Sequence, residues 1–358
     1  MEKEKYQLMK NLTETEGLPG FEDRIFKVMQ KEINKHTNDV ETDNLGSIVG
    51  KVGNGDSKIL LAGHMDEVGF IVSHISEKGF LRIRPLGGWW GHVLLSQRVK
   101  ILSKKGDLTG IVGSKAPHVL SPEERKKVIE IDKMFIDIGA SSREEAESFG
   151  AAVGDPVATI CPFEPLPNRK MLLSRTWDNR AGCYIALKVL ERLKGENLPN
   201  TLYSGATVQE EVGLRGAETL AYMVKPDIAF ATDVGVAGDT PGMNQDEAGL
   251  QLGKGPILYF MDRSMIPHRK LRDLVQETAK ENSIPYQIDI MSGGGTDAGR
   301  FHVANNGVPT MVVSVPARYI HSHVSVVHDD DLENAVELLC EVIKKLDNST
   351  VKQIKGLR

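Results

Sequence analysis

Five short clusters of histidines and carboxylates form the part of the sequence that could carry chemistry. Each cluster falls at the end of a predicted strand or in the turn after it. Ligands of α/β sheets bind beyond the carboxyl ends of the strands, so we expect these distant side chains to converge. The clusters are His64-Met65-Asp66, Asp178-Asn179, Glu210-Glu211, Asp233 and His321-Ser322-His323.

The Glu210-Glu211 pair is the cluster that is hardest to explain by structure alone. Both carboxylates directly follow an apolar strand predicted over residues 203–208. Burial of charge there is costly unless another charge compensates it, so the pair indicates a bound cation. If Glu211 binds a metal, Glu210 can hold a water, which divides the pair into ligand and general base. The alternative is a solvated loop.

His64 and Asp178 each have a structural explanation when taken alone. His64 follows a buried strand, and Asp66 can accept a hydrogen bond from its second ring nitrogen, as carboxylates do behind metal-bound imidazoles. The alternative is a satisfied histidine at a strand end. Asp178 precedes a predicted helix that runs to about Leu193, a pattern typical of an N-cap.

The other two clusters complete a ligand set for two metals. Asp233 ends a predicted strand, although a turn-forming Asp explains the same pattern. His321 and His323 face one side of an extended segment, and only one of them needs to be a ligand. Two histidines and three carboxylates, with one Glu to spare, suit zinc, cobalt or manganese. They are too many for one catalytic zinc and fit two metals that share a bridging carboxylate.

The elements that position these residues follow two patterns. Short alternating apolar segments between Gly-rich turns predict a small all-β barrel or sandwich over residues 68–162. Helical periods alternate with strands in the rest of the chain, which predicts an α/β sheet covered by helices. We therefore predict one α/β catalytic domain, residues 1–67 and 163–358, that is interrupted by the β insertion. Its later strands are predicted at residues 202–208, 228–231, 257–260, 286–290 and 311–315.

The composition excludes several classes of function. Lys and Arg total 44 against 49 Asp and Glu, and a net charge of −5 offers no general attraction for nucleic acid. We expect no membrane span and no secretion signal, because no run of 18 uncharged apolar residues and no apolar N-terminal segment occur. Three cysteines without a CxxC pair argue against disulfides and favour the cytoplasm.

Five motifs, in order along essentially the whole chain, resemble those of the tetrahedral metallo-aminopeptidases, the family of glutamyl and deblocking aminopeptidases. The likeness extends to bacterial members labelled aminopeptidase or glucanase homologues. The motifs are Gly63-His-Met-Asp-Glu-Val-Gly69, Trp177-Asp-Asn-Arg-Ala-Gly182, Gln209-Glu-Glu-Val-Gly-Leu-Arg-Gly216, Ala231-Thr-Asp-Val234 and Arg318-Tyr-Ile-His-Ser322.

The resemblance implies a zinc-exopeptidase-like fold, in which helices sandwich a mixed sheet and the inserted β-barrel makes dimer contacts within a dodecamer. It also implies two divalent ions per subunit, Zn²⁺ or Co²⁺ or else Mn²⁺. Asp178 would bridge the ions, one held also by His64 and Asp233 and the other by Glu211 and His321.

Further roles follow from the same resemblance. Glu210 would be the general base, Asp66 would orient His64, and the Asp178–Asn179 peptide would be cis. The Gly-rich loop over residues 293–299 lacks the Lys-Ser/Thr of a phosphate loop and would instead border the substrate pocket. Its candidate pocket residues are Gly294, Gly295, Thr296 and Asp297.

A second glycine loop, Gly87-Gly88-Trp89-Trp90-Gly91-His92, lies in the β insertion. Exposed aromatic residues there would suit a partner surface, whereas a buried tryptophan pair explains the pattern equally well. The pattern assigns no role to His92.

We expect a cytoplasmic aminopeptidase that acts on short peptides, with an acidic or broad preference. Glu210 would take a proton from the attacking water and pass it to the leaving amine. Two alternatives remain. A glycoside hydrolase needs two carboxyls across a sugar and no histidines. A non-catalytic metal-binding assembly protein would not require Glu210.

Overall fold

The computed structural model describes residues 2–243, 249–291 and 293–356. A large mixed sheet with helices packed on its two faces forms one part of the molecule, and a closed six-stranded antiparallel barrel forms the other. The predicted fold is confirmed. Within the described ranges, no helix is long and apolar enough to cross a bilayer.

The helices and strands follow one another with short connections. The strands are β1 (Val40–Thr42), β2 (Ile48–Gly53), β3 (Lys58–His64), β4 (Gly69–Ile75), β5 (Leu81–Leu86), β6 (Arg98–Ser103), β7 (Gly106–Gly113), β8 (Phe135–Asp137), β9 (Pro156–Thr159), β10 (Glu164–Pro165), β11 (Met171–Ser174), β12 (Thr201–Thr207), β13 (Ile228–Ala231), β14 (Val234–Val236), β15 (Ile257–Met261), β16 (Gln287–Ile290), β17 (Thr310–Arg318) and β18 (Ser325–His328). The helices are α1 (Glu2–Glu14), α2 (Asp23–Ile33), α3 (Pro122–Arg125), α4 (Arg143–Phe149), α5 (Trp177–Leu193), α6 (Arg215–Val224), α7 (Arg269–Glu281), α8 (Ala298–Val303), α9 (Asp329–Lys344) and α10 (Asn348–Lys355).

The centre of the large sheet consists of parallel strands. The sheet runs β1-β2-β12-β3-β13-β17-β18-β11-β10, and β14, β15 and β16 attach beside β17. Strands β12, β3, β13 and β17 are parallel neighbours, so their carboxyl ends meet at one edge. Residues along β3 alternate between the two core layers, with Ile59 in one and Leu60 in the other. All five predicted strands of the later part are present, with their bounds shifted by a few residues.

The barrel closes in the order β4-β5-β8-β7-β6-β9 around its own apolar core. Its tryptophan pair is divided between core and surface. Trp89 packs against Phe70 with ring centroids 4.9 Å apart, whereas Trp90 is 62% exposed and lies beside His92, with centroids 4.4 Å apart. The two explanations offered for the pair therefore each hold for one residue.

Two glycines allow helix α5 to lie directly against the sheet. A Cβ on Gly63 would lie 2.5 Å from the carbonyl carbon of Gly182, and a Cβ on Gly182 would lie 2.5 Å from the carbonyl oxygen of Thr232. Neither position has room for a side chain. The close packing carries the start of α5 to the carboxyl ends of the strands. There Asp178 leaves the helical conformation, and the Asp178–Asn179 peptide is cis, as the resemblance implies.

A buried ion cluster joins the N-terminal segment, the barrel and α5. The carboxylate of Glu67 accepts hydrogen bonds from Arg175 Nη2 at 2.5 Å and from the backbone of Gly17 at 2.9 Å, and Arg180 Nη2 lies 3.7 Å away. Arg175 also donates to the backbone carbonyl of Thr159 at the end of the barrel. The three charged side chains are at most 3% exposed, so removal of one leaves the others uncompensated.

We expect Glu67→Gln to lower the free energy of unfolding by about 3–5 kcal/mol, because two guanidinium groups lose their buried counter-charge. Urea denaturation followed by circular dichroism measures this change. The matched control is Glu130→Gln, in an ion pair with Lys133 in which both side chains are 69% exposed, and it should stay within about 0.5 kcal/mol of the parent. Equal stabilities of the two variants would contradict the role of the cluster.

Candidate metal centre

The carboxyl ends of the parallel strands bring the predicted ligands together. β12 and β3 run in register to Thr207 and His64, so the turn after β12 lies beside the end of β3. The group comprises His64 at the end of β3, Asp178 near the start of α5, the Glu210-Glu211 turn after β12, Asp233 after β13 and His321 after β17.

His64 faces three carboxylates through one ring nitrogen. Its Nε2 lies 3.4 Å from Asp178 Oδ1, 3.7 Å from Glu210 Oε2 and 3.9 Å from Asp233 Oδ1. The imidazole is only 2% exposed. These atoms surround a position that an ion with nitrogen and oxygen ligands can occupy.

His321 faces the other side of the same aspartate. Its Nε2 lies 3.3 Å from Asp178 Oδ2 and 3.5 Å from Glu211 Oε2. The two oxygens of Asp178 are thus directed to two different histidines. A bridging carboxylate between two metal ions has this arrangement.

Two overlapping sets of groups are close enough to hold an ion, each with its ligand atoms within 4.8 Å of one another. One set is His64, Glu210 and Asp233, and the other is His64, Asp178 and Glu211. Glu210 therefore lies as near to His64 as a ligand does. Its division from Glu211, as base and ligand, follows from the resemblance and not from these distances.

The carboxylate of Asp66 holds the turn that carries the two glutamates. Its Oδ1 accepts a hydrogen bond from the backbone N–H of Glu210 at 2.9 Å, and its Oδ2 accepts one from the N–H of Glu211 at 3.1 Å. His64 Nδ1 lies 3.1 Å from the backbone carbonyl of Asp66 and 3.5 Å from its carboxylate. The carboxylate thus positions Glu210 and Glu211 more directly than it orients His64.

Burial makes the charges of this cluster costly. Burial, together with the neighbouring Asp178, raises the pKa of Glu211 to about 8, and burial raises the pKa of Asp233 to about 8. Burial also holds the pKa of Glu210 well above its usual range. The hydrogen bond with Asp178 raises the pKa of His321 to about 9.

This donor set fits divalent cations. Glu211 Oε1 is a buried oxygen without a hydrogen-bond partner among the described residues. A cation would occupy this lone acceptor and compensate the crowded carboxylates.

The candidate pocket residues lie in two environments. Gly294 and Gly295 are exposed, whereas Thr296 and Asp297 are buried. Thr296 Oγ1 donates to Asp262 Oδ2 at 2.9 Å, and Asp297 Oδ2 accepts from the hydroxyl of Thr207 at the end of β12. The Asp297 side chain makes no capping hydrogen bond to α8. Both side chains are thus engaged in contacts within the protein.

Glu22 belongs to the surroundings of the centre, but the sequence analysis did not find it. It is 6% exposed, and its Oε1 accepts a hydrogen bond from the backbone N–H of Gln209 at 3.1 Å. Burial and the nearby Asp66 raise its pKa to about 7. In sequence Glu22 stands in a polar turn before α2, a place where an exposed capping carboxylate is ordinary, so no local signal distinguishes it.

Comparison with known proteins decides the family. The sequence profile described as M42 glutamyl aminopeptidase matches residues 46–338. The chain belongs to this M42 family. An M42 protein is a metallo-aminopeptidase, a hydrolase of peptide bonds, and this agrees with the ligand set that the fold assembles.

Two M42 relatives of similar identity are named for different substrates. The glutamyl aminopeptidase of Lactococcus lactis subsp. cremoris is 37% identical over 99% of both chains. The lysyl aminopeptidase of Pyrococcus furiosus is 33% identical, over 96% of this chain and 98% of its own. Substrate preference therefore varies among relatives of this chain.

Solved structures share the whole M42 fold. The TET aminopeptidase of the marine sediment archaeon Thaumarchaeota archaeon SCGC AB-539-E09 is 47% identical, with a TM-score of 0.97 over 99% of both chains. The Pyrococcus horikoshii TET1 peptidase is 34% identical, with a TM-score of 0.86 over 96% of this chain and 100% of its own. A Thermotoga maritima structure named endoglucanase is 27% identical, with a TM-score of 0.78 over 97% and 99%.

Proposed function

We propose that this M42 aminopeptidase uses two metal ions to remove N-terminal residues from short peptides. The observation that carries the proposal is the position of Asp178, whose two carboxylate oxygens face His64 on one side and His321 on the other. His64 and Asp233 would hold one ion, Glu211 and His321 the other, and Asp178 both. Zn²⁺ or Co²⁺ suits these ligands best, and Mn²⁺ is a further candidate.

The ions would supply Lewis-acid polarisation and lower the pKa of a water at neutral pH. Glu210 would take a proton from the water that attacks the carbonyl carbon of the first peptide bond. As the C–N bond breaks, Glu210 would return that proton to the leaving amine. Its burial beside His64 and the fixed backbone at Asp66 support this role, because a base must hold one position through both transfers.

The acidic surroundings also suit the end of a peptide chain. A free N-terminal ammonium group is attracted to clustered carboxylates, whereas an internal peptide bond offers no such charge. This difference favours cleavage of the first residue only, which is the action of an exopeptidase.

Glu210→Gln should keep both metal ions and lower kcat by at least about 100-fold, since glutamine cannot accept the proton. Metal content by elemental analysis and turnover of an aminoacyl anilide measure the two properties. Glu218→Gln, at a side chain 69% exposed on α6, is the matched control and should turn over normally. Loss of one ion from Glu210→Gln would make Glu210 a ligand, and normal turnover would exclude it as the base.

The first side chain of the substrate is proposed to be acidic or to vary broadly. A panel of aminoacyl anilides, assayed with Zn²⁺, Co²⁺ and Mn²⁺, should show the highest kcat/KM for glutamyl or for several unrelated residues. A preference for lysyl anilide alone, as in the name of the Pyrococcus furiosus relative, would contradict this.

A chelator in the same assay tests the class of enzyme. It should abolish anilide hydrolysis, and added metal should restore it. The alternative glycoside hydrolysis takes its support from the Thermotoga maritima structure named endoglucanase. Cleavage of a soluble glucan in the presence of chelator, without anilide cleavage, would favour that alternative, and inactivity toward both substrates would favour a metal-binding assembly protein.

The chain is also proposed to form a cytoplasmic dodecamer, through dimers that use the barrel. The structure of PhTET1-12s is a dodecamer, and it resembles this chain with 34% identity and a TM-score of 0.85. Light scattering should therefore give the mass of twelve 39.4 kDa chains. A dimer as the largest species would contradict the assembly.

A further inference from the structure

A segment of the barrel, residues 87–93, lies directly against the ligands of one proposed metal ion. A Cβ on Gly88 would lie 3.1 Å from His321 Nδ1 and 3.5 Å from its Cε1. A Cβ on Gly87 would lie 3.2 Å from Glu211 Oε2, and the φ angle of +81° at Gly87 also favours glycine. Two consecutive glycines therefore allow the 87–93 segment to touch both His321 and Glu211.

His321 is the ligand that most needs such support. Its side chain is 41% exposed, compared with 2% for His64. It stands in the ligand loop, residues 319–324, which contains no helix or strand. Tyr319 and His321 both adopt positive φ angles, +62° and +54°, which few residues other than glycine adopt. A ligand on such a loop keeps its orientation only if neighbouring structure holds it.

The ring of His321 has the same two-sided environment in this structure as a supported metal ligand. Its Nε2 faces Asp178 and Glu211, and its Nδ1 faces the backbone of Gly88. Histidines that bind metals are held by contacts at the second ring nitrogen, and loss of these contacts weakens metal binding. Here the barrel provides the surface at that nitrogen.

His323 makes a second connection between the ligand loop and the barrel. A hydrogen bond joins its ring to the backbone of Val93, at the far end of the 87–93 segment. Among the described residues, His323 belongs to neither group that could hold a metal. Its half-buried ring thus connects the two segments two residues after His321.

We propose that Gly88 and His323 are positioning residues for His321. Gly88 sets the distance of the barrel from the imidazole, and His323 fastens the ligand loop to Val93. The barrel thereby takes part in binding one metal ion without supplying a ligand. This proposal rests on the assignment of His321 as a metal ligand in the proposed function.

Titration of the metal-free protein with Co²⁺ tests the proposal, because the visible absorption of bound Co²⁺ reports each site and does not depend on activity. Gly88→Ala forces the imidazole away, and His323→Ala frees the loop. In each variant, the affinity for one of the two ions should fall about 10- to 100-fold, and the affinity for the other should stay within about twofold. His323→Gln, whose amide can also bond Val93, should recover most of the loss.

Two control variants remove the same atoms elsewhere. His74→Ala lies on an exposed position of barrel strand β4, and Gly356→Ala lies after α10, where a Cβ would meet no atom closer than 3.4 Å. Both should bind two ions as the parent does. Circular dichroism and thermal melting confirm that each variant is folded before titration.

The His321→Ala variant separates the possible failures. If it loses one ion while Gly88→Ala and His323→Ala both bind two ions normally, the positioning proposal is wrong and the ligand assignment stands. If His321→Ala itself binds two ions normally, the ligand assignment is wrong and the positioning proposal falls with it. Weakening of both ions equally in His323→Ala would show a general structural effect and also overturn the proposal.

Discussion

The crowding of carboxylates around Asp178 is the constraint on which the rest of the structure depends. Glu210, Glu211 and Asp233 are removed from water within a few ångströms of one another. Two histidines cannot compensate so many buried negative charges at neutral pH, and the raised pKa values of these carboxyls express the deficit. Every element around the centre therefore serves to hold like charges together until cations balance them.

The protein meets this constraint with rigid connections at each ligand. Glycine contacts bring α5 and its Asp178 onto the sheet, and Asp66 fixes two successive backbone amides of the glutamate turn. The parallel strands supply the remaining geometry, because their register sets where each carboxyl end lies. The ligands thus stand on the most rigid part of the fold, with His321 as the exception that relies on the barrel.

The sequence predicts those parts of the fold and site that follow local rules. Strands announce themselves as short apolar runs, and polar residues directly after them mark the carboxyl edge, which is why His64 and the Glu210-Glu211 turn could be placed together. Contacts between segments distant in the chain have no such signal. Glu67 resembles an exposed turn residue until Arg175 and Arg180 fold around it. Likewise, the two glycines at 87 and 88 read as a barrel turn, and only the folded chain shows their approach to His321.

The order of the ligands along the chain has a consequence for folding. His64 precedes the barrel, Asp178 follows it, and His321 comes only after the last long strand of the sheet. No early segment of the chain contains a complete ion site, so tight metal binding has to wait until distant strands have paired and the barrel has closed. Metal uptake then selects molecules whose topology is finished, and the free energy of binding adds to the stability of that state alone. The centre acts in this way as a lock that closes last on a chain already in its final order.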